Sequence, residues 1–84
     1  MVFEKGIDKP VICIVGLGYV GFPLLQEFEQ YFQVIGFDVN QKKVEQLRFQ
    51  VNSAYLTSDP ALIKEAEAVI IAVPTPVRAS KQPD

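Results

Sequence analysis

The stretch that decides the fold is VICIVGLGYVG, residues 11–21. Its first half, Val11–Val15, is a continuous apolar run rich in β-branched residues, which is typical of a strand buried on both faces of a parallel sheet. Glycines then interrupt the strand, and apolar residues recur at helical spacing from Val20 to Phe28. The stretch therefore predicts a buried strand, a tight turn and an amphipathic helix.

The turn carries three glycines in the pattern G-x-G-x-x-G, and its place between a strand and a helix is what gives the pattern weight. Gly16 permits the tight turn, Gly18 lets the backbone approach a diphosphate, and Gly21 lets the helix pack close to the sheet. The helix then offers the N–H groups of Tyr19 and Val20 to an anion. The motif predicts a dinucleotide site.

An acidic residue adds to this prediction. Asp38 ends the second predicted strand, residues 33–38, and lies 17 positions beyond Gly21. The dinucleotide fingerprint has an acid about 20 residues further on, where it accepts hydrogen bonds from the adenosine ribose. Because a carboxylate would repel a 2′-phosphate, Asp38 favours NAD as the cofactor.

Two other interpretations of the same residues stay open. The glycines could only form a tight turn while Asp38 caps the next helix, or the site could hold S-adenosylmethionine. Folds that bind the latter also use a glycine-rich turn and an acid on a second strand. The agreement of the three glycines, the flanking elements and the acid favours a dinucleotide site over a simple turn, and the glycine spacing suits a diphosphate better than S-adenosylmethionine.

The rest of the chain alternates between helices and strands. Tyr31 and Phe32 are predicted to extend the apolar stripe of the first helix, and Asn40 or a neighbour to cap a second helix. Whether a third strand forms at Tyr55–Thr57 is open. Ser58 or Asp59 is predicted to cap a short helix that begins at Pro60, and residues 68–73 are predicted to form another buried strand.

This alternation predicts an α/β fold with right-handed crossovers. We expect a Rossmann-like half-domain of three layers, whose short parallel sheet has the order 3-2-1-4. The expected NAD-binding domain covers residues 1–76, and residues 77–84 form a polar tail.

Composition limits the function classes. The net charge of −2 and the lack of a basic cluster argue against nucleic acid or an anionic membrane as a partner, and no apolar run is long enough to cross a bilayer. The single cysteine, Cys13, is expected in the core, and with no secretion signal it predicts a cytoplasmic protein. With no histidine and one cysteine, these 84 residues cannot form a zinc site, a Cys–His pair or a Ser–His–Asp triad.

Four segments resemble one known family. Residues 14–24, IVGLGYVGFPL, closely resemble the N-terminal signature of the UDP-glucose/GDP-mannose dehydrogenases. Residues 34–40 resemble that family's second strand with its ribose-binding acid, and residues 69–76 resemble its fourth strand and following loop. Residues 81–84 look like the segment that follows in members acting on UDP-N-acetyl sugars.

The resemblance implies an NAD-dependent oxidoreductase that oxidises the C6 alcohol of a UDP-sugar to a carboxylate for polysaccharide precursors. It implies that Tyr19 and Val20 meet the diphosphate, that Asp38 binds the ribose and that Lys43 lies near it. Thr75 would face the cofactor from the loop after the fourth strand. A solvated helix lysine at Lys43 and a simple turn at Thr75 are the alternatives.

Two departures from the family matter. The segment at residues 44–57 is compressed, and the family's nucleophilic cysteine, catalytic lysine and sugar-binding domain have no counterpart in these 84 residues. We therefore assign no catalytic residue and expect the chain alone to be inactive, with a nucleotide sugar bound only when the other domains are present. The alternative functions are a freestanding nucleotide-binding module and a self-associating fragment. An open apolar edge at residues 69–73 predicts a homo-oligomer.

Overall fold

The structure is a computed structural model that describes residues 10–72 of the 84-residue chain. Four strands alternate with helical segments along these residues. The strands are β1 (Val11–Val15), β2 (Gln33–Phe37), β3 (Tyr55–Thr57) and β4 (Ala68–Ile71). The helices are α1 (Gly21–Phe28), α2 (Gln41–Leu47) and two 3-10 helices, Arg48–Gln50 and Pro60–Glu65.

All strand pairs are parallel, and the sheet has the order β3-β2-β1-β4. The predicted fold class, a Rossmann-like α/β half-domain, is confirmed. Helices α1 and α2 pack on one face, while the 3-10 helix Pro60–Glu65 packs on the other. A right-handed crossover requires this change of face, because the chain reverses its direction across the sheet after β3.

The core lies on both faces of the sheet. On the α1 and α2 face, six buried residues form one cluster: Ile14, Leu17, Leu25, Val34, Val44 and Leu56. On the other face, Ile63 and Ala66 pack against buried strand residues: Val11, Cys13, Ile35 and Phe37. The expected core position of Cys13 is confirmed, and burial raises the pKa of its thiol to about 11.

Local capping explains where two helical segments begin. The Asn40 side chain accepts a hydrogen bond from the Lys43 N–H at 3.1 Å, which confirms the predicted cap of α2. Asp59, and not Ser58, caps the segment that starts at Pro60, and this segment is a 3-10 helix. The third strand, left open by the sequence, forms as β3.

The predicted extension of the α1 stripe is wrong at one residue. Helix α1 ends at Phe28, and the Tyr31 N–H donates to the Phe28 carbonyl in a tighter i to i+3 turn. This turn leaves Tyr31 59% exposed. Phe32 is half-buried as predicted and packs edge-on against Phe28, with ring centroids 5.5 Å apart.

The prediction of a buried strand at residues 68–73 is also wrong in its burial. Strand β4 forms, but Ala68, Val69 and Ile71 are exposed. The reason is its place at the edge of the sheet, since β1 is the only strand that pairs with it among residues 10–72. Only Ile70 faces the α1 cluster.

Candidate functional site

The glycine turn opens into a cleft at the carboxyl ends of three strands. The sheet order reverses at β1, and in open α/β sheets ligands bind in the crevice beyond such a point. The cleft has a volume of about 660 Å³. Its lining comes from the turn after β1, from the residues after β2 and from the end of β4: Gly16, Leu17, Gly18, Tyr19, Val20, Asp38, Lys43, Ile71 and Ala72.

Two of the three glycines build the turn. Gly16 has φ of 100°, a left-handed conformation that a side chain would strain, and its N–H donates to the Phe37 carbonyl at 2.8 Å. Gly21 lies beneath the turn and does not line the cleft. A methyl group on Gly21 would collide with the Gly16 carbonyl oxygen and lie 3.2 Å from the Ala72 side chain. The fold itself therefore requires both glycines.

Gly18 differs from its two neighbours in the motif. A methyl group there would meet no atom within 4 Å, and Gly18 does not have the left-handed φ of Gly16. Neither packing nor backbone conformation requires glycine at this position. The position lines the cleft, so a ligand that needs the backbone at close range would explain the residue.

Unused N–H groups border this open position. Val20 precedes α1 and provides no side-chain cap, and the first bond across the turn is from the Phe22 N–H to the Gly18 carbonyl at 3.1 Å. Within residues 10–72, the N–H groups of Gly18, Tyr19 and Val20 have no hydrogen-bond acceptor. Together with the positive end of the helix dipole, they favour an anion.

The Asp38 carboxylate forms the second wall of the cleft, and its side chain is 11% exposed. Its Oδ2 accepts a hydrogen bond from the Leu17 N–H at 2.9 Å, and its Oδ1 accepts one from the Asn40 N–H at 2.9 Å. Burial opposes ionisation of Asp38, but these two donors and the Lys43 ammonium outweigh it, so its pKa lies below the ordinary value.

Lys43 lines the cleft beside Asp38. Its Nζ lies 3.6 Å from Oδ2 of Asp38, and its side chain is 40% exposed. Its backbone N–H is held by the Asn40 cap, which fixes the start of α2 against the end of β2. The arrangement places one cation beside one carboxylate at the rim of the cleft.

Comparison with known proteins identifies the family. Residues 10–55 match the sequence model described as UDP-glucose/GDP-mannose dehydrogenase family, NAD binding domain. This chain belongs to that family. It carries the family's NAD-binding domain, and NAD is the cofactor.

Individual relatives agree with this assignment. The UDP-N-acetyl-D-glucosamine 6-dehydrogenase of Salmonella typhi is 45% identical over 94% of this chain and 22% of the relative. The enzyme of the same name from Pseudomonas aeruginosa is 40% identical over 87% of this chain and 21% of the relative. A UDP-N-acetyl-D-mannosamine dehydrogenase of Methanococcus maripaludis is 33% identical over 88% and 21%. The chain thus spans about a fifth of the length of these relatives.

No solved structure matches the chain significantly. Among the helices of residues 10–72, none has the length and apolar character needed to cross a bilayer.

The structure brings together most of the predicted site residues of this NAD-binding domain. Gly16, Gly18, Tyr19 and Val20 line the cleft with two charged residues from the β2 side, Asp38 and Lys43. Gly21 supports the turn from below, and Thr75 lies outside the described residues.

Sequence reasoning missed two features of the site. The Leu17 N–H is held by Asp38, and Ile71 and Ala72 form the wall on the β4 side. The sheet order 3-2-1-4 contained a signal for both, because it puts the ends of β2 and β4 on either side of the turn after β1.

Proposed function

We propose that this chain binds the adenosine diphosphate half of NAD for a nucleotide-sugar 6-dehydrogenase. The complete enzyme would oxidise the C6 alcohol of a UDP-sugar to a carboxylate and so supply a polysaccharide precursor. The relatives whose names specify such 6-dehydrogenases, at 40% and 45% identity, support the reaction class. The residues of the cleft support the assignment of NAD binding to this part of the enzyme.

The open position at Gly18 is the observation that carries the proposal. It lies between unused N–H groups on one side and a carboxylate on the other, in a cleft of about 660 Å³. A diphosphate needs donors at close range without an intervening side chain, and a ribose needs an acceptor. These residues fit both requirements of the adenosine half of NAD.

Each site residue then has a specific task. The N–H groups of Tyr19 and Val20 donate to the diphosphate oxygens, and Asp38 accepts hydrogen bonds from the ribose hydroxyls. Lys43 adds to the two backbone hydrogen bonds that keep Asp38 ionised, and it lies near the ribose. When bound, NAD supplies the hydride acceptor, and the residues of this chain hold and orient it. Thr75 remains a proposed cofactor contact on resemblance alone.

We further propose that the 84-residue chain by itself has no dehydrogenase activity. The resemblance implies a nucleophilic cysteine, and the only cysteine of this chain is Cys13. Cys13 is completely buried in β1, and its raised pKa of about 11 keeps the thiol protonated at neutral pH. Turnover of any UDP-sugar with NAD by the isolated chain would contradict this proposal.

Titration calorimetry tests the binding function directly. The chain should bind NAD and ADP-ribose in preference to ATP, because ATP carries a further charged phosphate beyond the diphosphate, where the other two ligands carry an uncharged ribose. Gly18→Ala should weaken the binding of NAD and ADP-ribose while the chain stays folded. Equal and weak binding of all three ligands would instead favour a freestanding nucleotide-binding module without catalysis.

The homo-oligomer expected from the sequence also stays a proposal. Its support is strand β4, where Val69 is 43% and Ile71 64% exposed on a sheet edge that pairs with β1 alone among the described strands. Sedimentation at high concentration should show dimers or larger species. A strictly monomeric profile would contradict self-association.

We also propose a cytoplasmic location, which agrees with the free thiol of Cys13.

A further inference from the structure

We propose that Asp38 has a second role: it is the positioning residue that sets the diphosphate-binding turn before any ligand arrives. This inference rests on the proposed function, since it concerns how the same cleft receives NAD. It goes beyond ribose binding because it assigns the Asp38 carboxylate an effect on the affinity for a ligand that has no ribose hydroxyl group.

The first argument is the way the turn is attached to β2. The last backbone hydrogen bond between the two is from the Gly16 N–H to the Phe37 carbonyl. Beyond it, within residues 10–72, the hydrogen bond from the Leu17 N–H to Asp38 Oδ2 is the only one that ties the turn to the end of β2. The N–H of Gly18, which follows immediately, has no acceptor within residues 10–72, and its carbonyl is held only from the α1 side, by the Phe22 N–H at 3.1 Å.

The second argument is that both partners in this hydrogen bond are themselves fixed. Leu17 is 3% exposed and belongs to the core cluster, so this residue anchors the turn from inside. The Asp38 N–H donates to the Thr57 carbonyl of β3 at 3.2 Å, which holds its backbone in the sheet. The carboxylate therefore connects two rigid points across the mouth of the cleft.

The third argument is that the position requires a carboxylate. The donors on its two oxygens are the Leu17 N–H on Oδ2 and the Asn40 N–H on Oδ1, and Lys43 adds a positive charge beside Oδ2. An asparagine offers one oxygen and one NH₂ group, so one of the two backbone donors would face another donor. Asp38→Asn should release either the turn or the start of α2.

Simple electrostatics predicts the opposite effect on an anionic ligand. Removing the negative charge of Asp38 leaves Lys43 unpaired near the cleft, which should strengthen the binding of a diphosphate. Positioning predicts weaker binding, because the ligand must then order the turn itself. The sign of the change separates the two accounts.

The experiment uses the 84-residue chain and two ligands, ADP and 2′,3′-dideoxy-ADP, with affinities measured by NMR titration. Wild type should bind dideoxy-ADP more weakly than ADP, since the ribose hydroxyls no longer meet Asp38. Asp38→Asn should bind dideoxy-ADP about threefold to tenfold more weakly than wild type does, the size expected for the loss of one typical hydrogen bond. Equal or tighter binding of dideoxy-ADP by Asp38→Asn would overturn the positioning role.

Asp59→Asn is the matched control for the change of charge. Asp59 also accepts a backbone hydrogen bond, from Ala61 at 3.0 Å, but it does not line the cleft, and asparagine is an equally good helix cap. This variant should bind both ligands as wild type does. A loss in Asp59→Asn equal to that in Asp38→Asn would overturn the inference by showing a nonspecific effect.

Amide hydrogen exchange on the ligand-free wild type tests the inference without any variant. The Leu17 N–H should be protected, whereas the N–H groups of Tyr19 and Val20 should exchange rapidly. Exchange of the Leu17 N–H as fast as that of Tyr19 and Val20 would contradict a preset turn even if Asp38→Asn fails to fold. Absence of ADP and NAD binding by folded wild type would instead count against the proposed function, while protection of Leu17 would still stand.

Discussion

The two ends of the sheet use the same chemistry for different purposes. At the amino end, the Glu29 carboxylate accepts hydrogen bonds from the N–H groups of Asn52, Ser53 and Ala54, at distances between 2.8 and 3.1 Å. Glu29 is 7% exposed. At the carboxyl end, Asp38 accepts two backbone hydrogen bonds as well, but it borders an open cleft.

The difference lies in what remains unused around each carboxylate. The three backbone N–H groups that donate to Glu29 are used within the fold, so the loop before β3 offers none of them to a ligand. Around Asp38, the N–H groups of Gly18, Tyr19 and Val20 have no acceptor within the described residues. A carboxylate that holds a loop indicates function only where unused donors face a space large enough for a ligand.

The largest expected effect is a loss of stability at the carboxyl end of the sheet, where Gly21 lies beneath the turn. Gly21→Ala should lower the free energy of unfolding by about 3 kcal/mol or more, because the new methyl group meets rigid backbone at Gly16. Denaturant unfolding measures the loss. A stability within about 0.5 kcal/mol of wild type, the range of ordinary surface changes, would show that the turn is not packed as described.

The next largest effect is a loss of stability at the amino end of the sheet, without a change in NAD binding. Glu29→Gln should cost about 2 kcal/mol, because the substitution removes a buried charge that accepts several backbone hydrogen bonds. The affinity of the folded chain for NAD should not change. Glu27→Gln is the matched control, since Glu27 is exposed in α1, two positions before Glu29, and its substitution makes the same change of charge. Loss of NAD affinity in folded Glu29→Gln would contradict the assignment of a purely structural role to Glu29.

The next prediction is a small change in stability together with a large change in NAD affinity, at Gly18. Gly18→Ala should leave the free energy of unfolding within about 0.5 kcal/mol of wild type or raise it slightly, because the methyl group meets open space. NAD affinity should fall by about tenfold or more, since the methyl group occupies the place of the diphosphate. Unfolding and calorimetry on one sample measure both. Unchanged affinity would contradict the proposed ligand position.

The smallest expected effect concerns pH. The folded pKa of Asp38 lies below its ordinary value, so its ionised form stabilises the fold above the ordinary pKa, and this share is lost as the pH falls through the lowered value. The difference in unfolding free energy between wild type and Asp38→Asn should therefore shrink in acid. A difference that stays constant across that range would show that the charge of Asp38 contributes nothing to stability.

Local sequence patterns were sufficient for most of the fold. The apolar run Val11–Val15, the glycine spacing and the cap at Asn40 each depend on neighbouring residues, and each prediction was confirmed. The parallel pairing followed from the alternation of strands and helices, and the order 3-2-1-4 followed from analogy with doubly wound folds. Local signals fail where a residue's role depends on distant partners.

Four particular residues show this limit. Glu29 reaches donors 23 to 25 positions away, and the bond between Leu17 and Asp38 spans 21 positions, so neither leaves a local pattern. Ile71 belongs to an apolar run that indicates burial, yet its place at the sheet edge decides its exposure. These contacts become visible only once the strands are placed side by side.

The central claim is that the turn after β1 receives the diphosphate of NAD, and an NMR titration of the chain with NAD tests it most directly. The amide signals of Gly18, Tyr19 and Val20 should shift progressively, while those of the Glu29 loop, residues 52–54, should stay in place. Shifts centred on residues 52–54, or no shift of the turn even at millimolar NAD, would contradict the account.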